Sequence, residues 1–174
     1  MRTVVPFLLI FAITLSACAE GGTPSGGSEP PAVDARRIEI YGAVIRDVVE
    51  FRDGPVYVWT ELCDNADAAA SRYSPCPDSL MAAEQQAIVS LLADEVAELR
   101  FIEDTEAAAG DVFDGEGGEL VRLGPIEEVD GRIQVPAMHL CGNVCGGGSV
   151  WVVEETSDGW AVAGSAPGYG EWIS

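Results

Sequence analysis

Gly131-Arg-Ile-Gln-Val-Pro136-Ala-Met-His139-Leu-Cys141-Gly-Asn-Val-Cys145-Gly-Gly-Gly-Ser-Val150-Trp-Val-Val-Glu-Glu-Thr-Ser-Asp-Gly159-Trp-Ala-Val-Ala-Gly164 is the stretch that decides the fold. It holds three apolar runs separated by two clusters of turn residues. Runs rich in Val, Ile and Trp with Gly and Asp between them predict strands joined by tight connections, an antiparallel meander. Asp130-Gly131, between apolar residues, is a two-residue hairpin signal, and Ser157-Asp158-Gly159 predicts a second turn. Pro136 falls inside the first strand, where the apolar parity shifts from Ile133 and Val135 to Met138 and Leu140. A proline lacks the ladder N–H, so an edge position or a bulge is expected there.

Working outward, Asp34 is placed to cap a helix from Ala35 to about Glu50, with Ile38, Tyr41, Ile45, Val48 and Val49 on one side. Arg52-Asp53-Gly54-Pro55 ends it. Val56 to Leu62 is β-branched and aromatic on both parities, which predicts a central strand covered on both faces. Asp78 or Ser79 is positioned to cap a second helix, in which Ala87, Ile88, Leu91 and Leu92 share a face. Short strands are expected at 99–102 and 120–123, with an acidic loop, 104–118, between them. Trp172 and Ile173 give the Gly-rich tail the means to dock.

The N-terminus speaks to location. Arg2 precedes an apolar run from Val4 to Leu15, too short to span a hydrocarbon core of about 30 Å, and the run ends in small residues suited to a peptidase. Residues 1–17 therefore form a signal peptide. Leu15-Ser16-Ala17-Cys18 resembles the lipobox of the bacterial lipoprotein class. The resemblance implies cleavage before Cys18, a thioether lipid on its sulfur and acylation, as by palmitate, of the new amino group. Residues 18–33 would then be the lipidated cysteine and a Gly-, Ser- and Pro-rich tether, which cannot bury enough apolar surface to order itself. Residues 34–174 form a single domain. The expected location is the extracytoplasmic face of the cell membrane.

Five cysteines less Cys18 leave Cys63, Cys76, Cys141 and Cys145. An even number outside the cytosol points to disulfides. Three pairings exist; the local one, Cys63 with Cys76 and Cys141 with Cys145, is the simplest. The charge is lopsided, with 29 acidic residues against nine basic ones and a formal net charge of −20. Nucleic acid and bare anionic lipid are poor partners for such a surface; a cationic partner or metal ions are conceivable, but the favoured reading is that the acidity serves solubility. Every basic residue is Arg, so lysine Schiff-base chemistry is absent.

Several motifs carry a chemical possibility beside a structural one. His139, Cys141 and Cys145 could supply three zinc ligands, but the spacing departs from common zinc patterns and disulfide bonding outweighs it. A redox pair would need two intervening residues at a helix start, where here there are three in a strand turn. Gly146-Gly147-Gly148 could offer amides to an anion, but the favoured reading is that glycine lets a disulfide-closed turn take its φ angles. Asp111, Asp114, Glu116 and Glu119 are oxygen donors without the helix-loop-helix calcium spacing, so a solvated loop is expected. Glu154 with Asp111 could form a glycosidase pair, but with so many acids such a pair carries little information. His139 is the sole histidine, and no Gly-x-Ser-x-Gly elbow accompanies it. No catalytic, cofactor-binding or metal residue is assigned.

Ile40-Tyr41-Gly42-Ala43-Val44-Ile45-Arg46, together with Cys-Gly-x-x-Cys-Gly-Gly-Gly-x-x-Trp-Val-Val-Glu at 141–154, resembles a group of uncharacterised bacterial exported proteins and lipoproteins. The likeness covers most of residues 38–173 and implies the domain boundaries and the disulfides, with no activity attached. The resulting expectation is an α+β domain, two helices packed on a curved antiparallel sheet, with the cystatin-like and NTF2-like cones as the nearest patterns. Its expected role is that of a lipid-anchored, non-catalytic binding or accessory module. The alternative is an NTF2-like hydrolase or small-ligand pocket where Tyr41, Tyr57, Trp59 and Trp151 gather.

Overall fold

A computed structural model of the chain describes residues 32–49, 54–63, 76–103, 118–141 and 145–169, together with the backbone of 172–173. Residues 1–17, expected to be a signal peptide, Cys18, nearly all of the expected tether and the acidic stretch 104–117 lie outside the described residues. No described helix is long and apolar enough to cross a membrane.

Helix α1 spans Ala35–Val48. Asp34 caps it as the sequence predicts, its carboxylate accepting from the N–H groups of Arg36 at 3.0 Å and Arg37 at 3.3 Å and so satisfying donors that the first turn leaves unpaired. Its buried surface is broader than one stripe, since Ile40, Gly42, Ala43 and Val44 are covered as well as Ile38, Tyr41, Ile45 and Val48. The second helix explains this: α2, Ala82–Leu92, packs beside α1, and a Cβ on Gly42 would run into Leu91. The N-cap of α2 is Met81, with Asp78 and Ser79 in a short strand ahead of it. Met81 has no side-chain oxygen to accept from the first-turn N–H groups. Glu84 instead reaches back to the Met81 N–H at 2.9 Å, the acidic half of a capping box. Ile88 and Leu92 are fully buried and Ala87 half-buried, whereas Leu91 is exposed. The buried row of α2 is therefore 84, 88, 92, and its first member is charged.

Among the described residues, ten strands follow the order β1 Pro55–Trp59, β2 Glu61–Leu62, β3 Asp78–Ser79, β4 Glu98–Ile102, β5 Glu119–Leu123, β6 Glu127–Val129, β7 Arg132–Leu140, β8 Gly146–Thr156, β9 Gly159–Ser165 and β10 Trp172–Ile173. The class is α+β, and the large sheet is mixed rather than antiparallel throughout. β1 lies between β4 and β5 and runs parallel to both. The path from β1 to β4 passes through α2, and a strand that returns by way of a helix pairs in parallel. The remainder is antiparallel and centred on the β7–β8 hairpin, in register from Ile133↔Val153 to Leu140↔Gly146. On its outer side β8 pairs with β10 along Gly147 and Gly148 and with β9 from Trp151 to Thr156.

Both turn signals hold. Asp130 and Gly131 have φ of 53° and 75°, the left-handed pair of a type I′ turn. Val56 to Leu62 is interrupted: Thr60 leaves the large sheet, and β2 pairs with β3 in a separate two-stranded ribbon. Pro136 is in a central strand, not at an edge. Its carbonyl accepts from the Gly124 N–H at 2.7 Å, so its missing donor faces the gap where β5 has ended and β6 has not begun. The irregularity expected in the proline's own strand is in the neighbouring one, and a Cβ on Gly124 would lie 2.7 Å from the Pro136 ring.

Alternate sheet residues point to opposite faces. Val56, Val58, Val121, Leu123, Val135, Ala137 and Val153 join Ile40, Val44 and Ile45 of α1 and Ile88 and Leu92 of α2 in one core. The other face holds two smaller clusters, Tyr57 with Leu120 and Val150 with Val152 and Ala166.

Candidate functional site

The four domain cysteines form two local disulfides, Cys63–Cys76 and Cys141–Cys145. His139, Cys141 and Cys145 therefore offer no pair of thiolates to zinc. Gly146, Gly147 and Gly148 are paired strand residues of β8, opposite Leu140, His139 and Met138. They serve neither as turn glycines nor as a nest of free amides, and close packing accounts for the first, whose Cβ would meet the His139 carbonyl at 2.8 Å. Asp111, Asp114 and Glu116 lie outside the described residues. Glu119 is fully buried in β5 rather than in a solvated loop. Glu154 is exposed on β8, and its proposed companion Asp111 is outside the described residues.

The four aromatics of the expected pocket do not gather. Tyr41 is on the buried side of α1 itself, its hydroxyl donating to the Gly124 carbonyl at 3.2 Å, and burial pushes that hydroxyl well above its ordinary pKa. Trp151 packs against the helix-side core, while Tyr57 and Trp59 have the opposite parity in β1 and face away from it. The register pairs His139 with Val121, which places it on the same face as Glu119. Ser149 is on that face too, but at 1% exposure its hydroxyl is closed to a substrate.

Two constellations beyond the sequence-predicted sites emerge from the fold. The first is a cleft of about 230 Å³ at the start of α1, lined by Asp34, Arg36, Arg37, Asp78 and an apolar floor of Ile40, Pro125 and Ile126. Arg37 spans it, 2.9 Å from Asp78 and 3.4 Å from the buried Glu84, and donates to the Ser79 carbonyl at 3.2 Å. The contact from its Nε to Glu84 is an ion pair without hydrogen-bond alignment. Arg36 stacks over Trp160, 5.3 Å from the ring centre.

The second lies on the opposite sheet face. Arg122 of β5 stacks on Trp59 at 4.1 Å, and its Nη2 is 3.7 Å from Cys63 Sγ. Burial pulls the guanidinium below its usual pKa, and the Glu61 carboxylate pulls back the other way; a guanidinium stays charged at neutral pH under such influences. Glu61, Cys63 and Cys76 place one oxygen and two sulfurs within 4.8 Å of one another, a set of metal-ligand type. The sulfurs are bonded to each other, however, and a cation already occupies their flank. One sequence signal for this cluster is Arg122 itself, a charge inside the apolar run Leu120-Val121-Arg122-Leu123.

Protein-family models, curated proteins and solved structures contain no match to this chain.

Proposed function

We propose that this chain is an exported lipoprotein, held to the outer face of the cytoplasmic membrane through Cys18, and that its domain is a non-catalytic binding or accessory module of the cell envelope. The observation that carries the reading is the cysteine pattern. The four cysteines of the domain are consumed by two disulfides, so the fifth is the one that follows Leu15-Ser16-Ala17. Disulfides fit an oxidising compartment. A single acyl chain binds a membrane only marginally, and stable anchoring takes more than one, which a diacyl thioether with an acylated amino group would provide.

The test is fractionation of cells expressing the full chain, with fatty-acid labelling and intact mass. Wild type should sediment with membranes and carry label; Cys18→Ala should lose the label and appear in the soluble fraction. Label retained by Cys18→Ala, or an unprocessed N-terminus in the wild type, would reject the anchor.

A second reading, a small-ligand module, has the α1 cleft in its favour. Two guanidinium groups and two carboxylates around an apolar floor suit a small ligand bearing both charges, although the volume is below the usual range of about 300–1,000 Å³. Chemical-shift mapping with amino acids and short peptides checks it; shifts confined to Arg36, Arg37 and Ile126 would support it, and none would dismiss it.

A further inference from the structure

We infer that Cys63–Cys76 is a thiol-exchange site, a disulfide that an external dithiol opens by attack on Cys76 with Cys63 as the leaving group. The two sulfurs are not equivalent. Cys63 is buried at 3% exposure, at the end of the β2 ribbon, with its N–H held by the Leu123 carbonyl. Cys76 is half-buried, the more exposed residue of the pair, and its sulfur is taken as the one attacked. The cation stands at the other end of the bond, since Arg122 Nη2 is 3.7 Å from Cys63 Sγ.

Exchange proceeds by attack of a thiolate on one sulfur and departure of the other as a thiolate, and it is faster when the departing thiol has the lower pKa. Burial alone would make Cys63 a poor leaving group; a guanidinium against its sulfur offsets that. Stacking on Trp59 holds Arg122 in place. Glu61 is the charge that opposes it, lying close both to the guanidinium and to the sulfurs.

The step balances as follows. The first thiolate of the dithiol bonds to Cys76 Sγ, the S–S bond breaks, and its electron pair leaves on Cys63. The second thiolate of the reductant then bonds to the first sulfur and expels Cys76. The reductant becomes a cyclic disulfide, and two electrons reach the protein, with protons taken up from water. Opening the bond releases the covalent tie across β2 and β3, and β3 carries the Asp78 and Ser79 contacts to Arg37. The redox state of this bond thus bears on the shape of the α1 cleft.

The experiment uses the folded full chain, dithiothreitol for kinetics and glutathione for regiochemistry, with acid quenching, alkylation and peptide mass spectrometry. The glutathione adduct should fall on Cys76. Arg122→Met should slow reduction of Cys63–Cys76 about tenfold, Arg122→Lys should recover most of the rate, and Cys141–Cys145 should keep its own rate in both. An adduct on Cys63, an unchanged rate in Arg122→Met, or equal slowing of both disulfides would overturn the proposal. Should Arg122→Met fail to fold, Glu61→Gln decides the matter: faster opening is expected, and an equal or slower rate refutes it.

Discussion

Removing the positive charge of Arg37 should destabilise the domain far more than its surface position suggests. The side chain of Arg37 is 24% exposed, that of Asp78 50% and that of Glu84 only 2%. The Asp78 contact is an exposed pair and contributes about 0.5 kcal/mol. Glu84 sets the magnitude. Breaking a buried pair by deleting one partner costs about 3–5 kcal/mol, because it strands the other charge. Partial exposure of Arg37 puts Arg37→Met near the lower end, about 3 kcal/mol. For a domain of this size that corresponds to a fall in Tm of about 9 °C. Glu84→Gln in the same background removes the stranded charge and leaves an acceptor for the Met81 N–H, so the double variant should regain about 2 kcal/mol. Urea and thermal unfolding with the disulfides intact measure both. A loss below about 1 kcal/mol in Arg37→Met, or a double variant no more stable than the single one, would show that Glu84 is not sustained by this pair.

Tyr41 predicts an alkaline weakness. Its folded-state pKa is raised by burial, so its contribution is fully present below the unfolded value of about 10 and is lost as pH rises above that, when only the unfolded chain ionises. Between pH 9 and 11 wild type should lose stability faster than Tyr41→Phe, which forgoes the Gly124 hydrogen bond at about 1 kcal/mol; parallel urea profiles would refute this. Gly124→Ala should cost about 2 kcal/mol, since its Cβ would meet the Pro136 ring at 2.7 Å and the Cys63 carbonyl at 2.9 Å. Gly131→Ala, with open space but φ of 75°, should cost about 1 kcal/mol, and chemical denaturation ranks the two.

What could be read directly from the sequence was local. Asp34 caps α1 because a carboxylate two and three residues from free N–H groups can hardly do otherwise, and Asp130-Gly131 turns because its backbone tolerates positive φ. That the four cysteines form disulfides was legible from their even number; which of three pairings they take was not, and the structure shows the local one, the simplest. Strand direction was not legible either, because β1 pairs with β4 and β5, neither adjacent to it in sequence, and the run Val56 to Leu62 looks alike in either orientation. The helix between β1 and β4 was the available clue, since such a crossover enforces a parallel pair.

Pro136 shows why the sites were harder still to see than the fold. A proline in a strand states only that one donor is missing; whether that makes an edge depends on what its neighbour does at the same level. Here the neighbour breaks at Gly124, and the same break leaves the carbonyl that receives the Tyr41 hydroxyl and puts Pro125 and Ile126 on the floor of the α1 cleft. Arg122 follows the same logic from the other face. Its position in β5 is ordinary until β1 is laid alongside in parallel, and then a sulfur 59 residues away becomes its neighbour. The chemistry of both places is a property of register, and register is set by the whole sheet rather than by any one segment. The Arg122 and Arg37 variants accordingly probe the pairing of β1 and the placement of β3 as much as the side chains they remove.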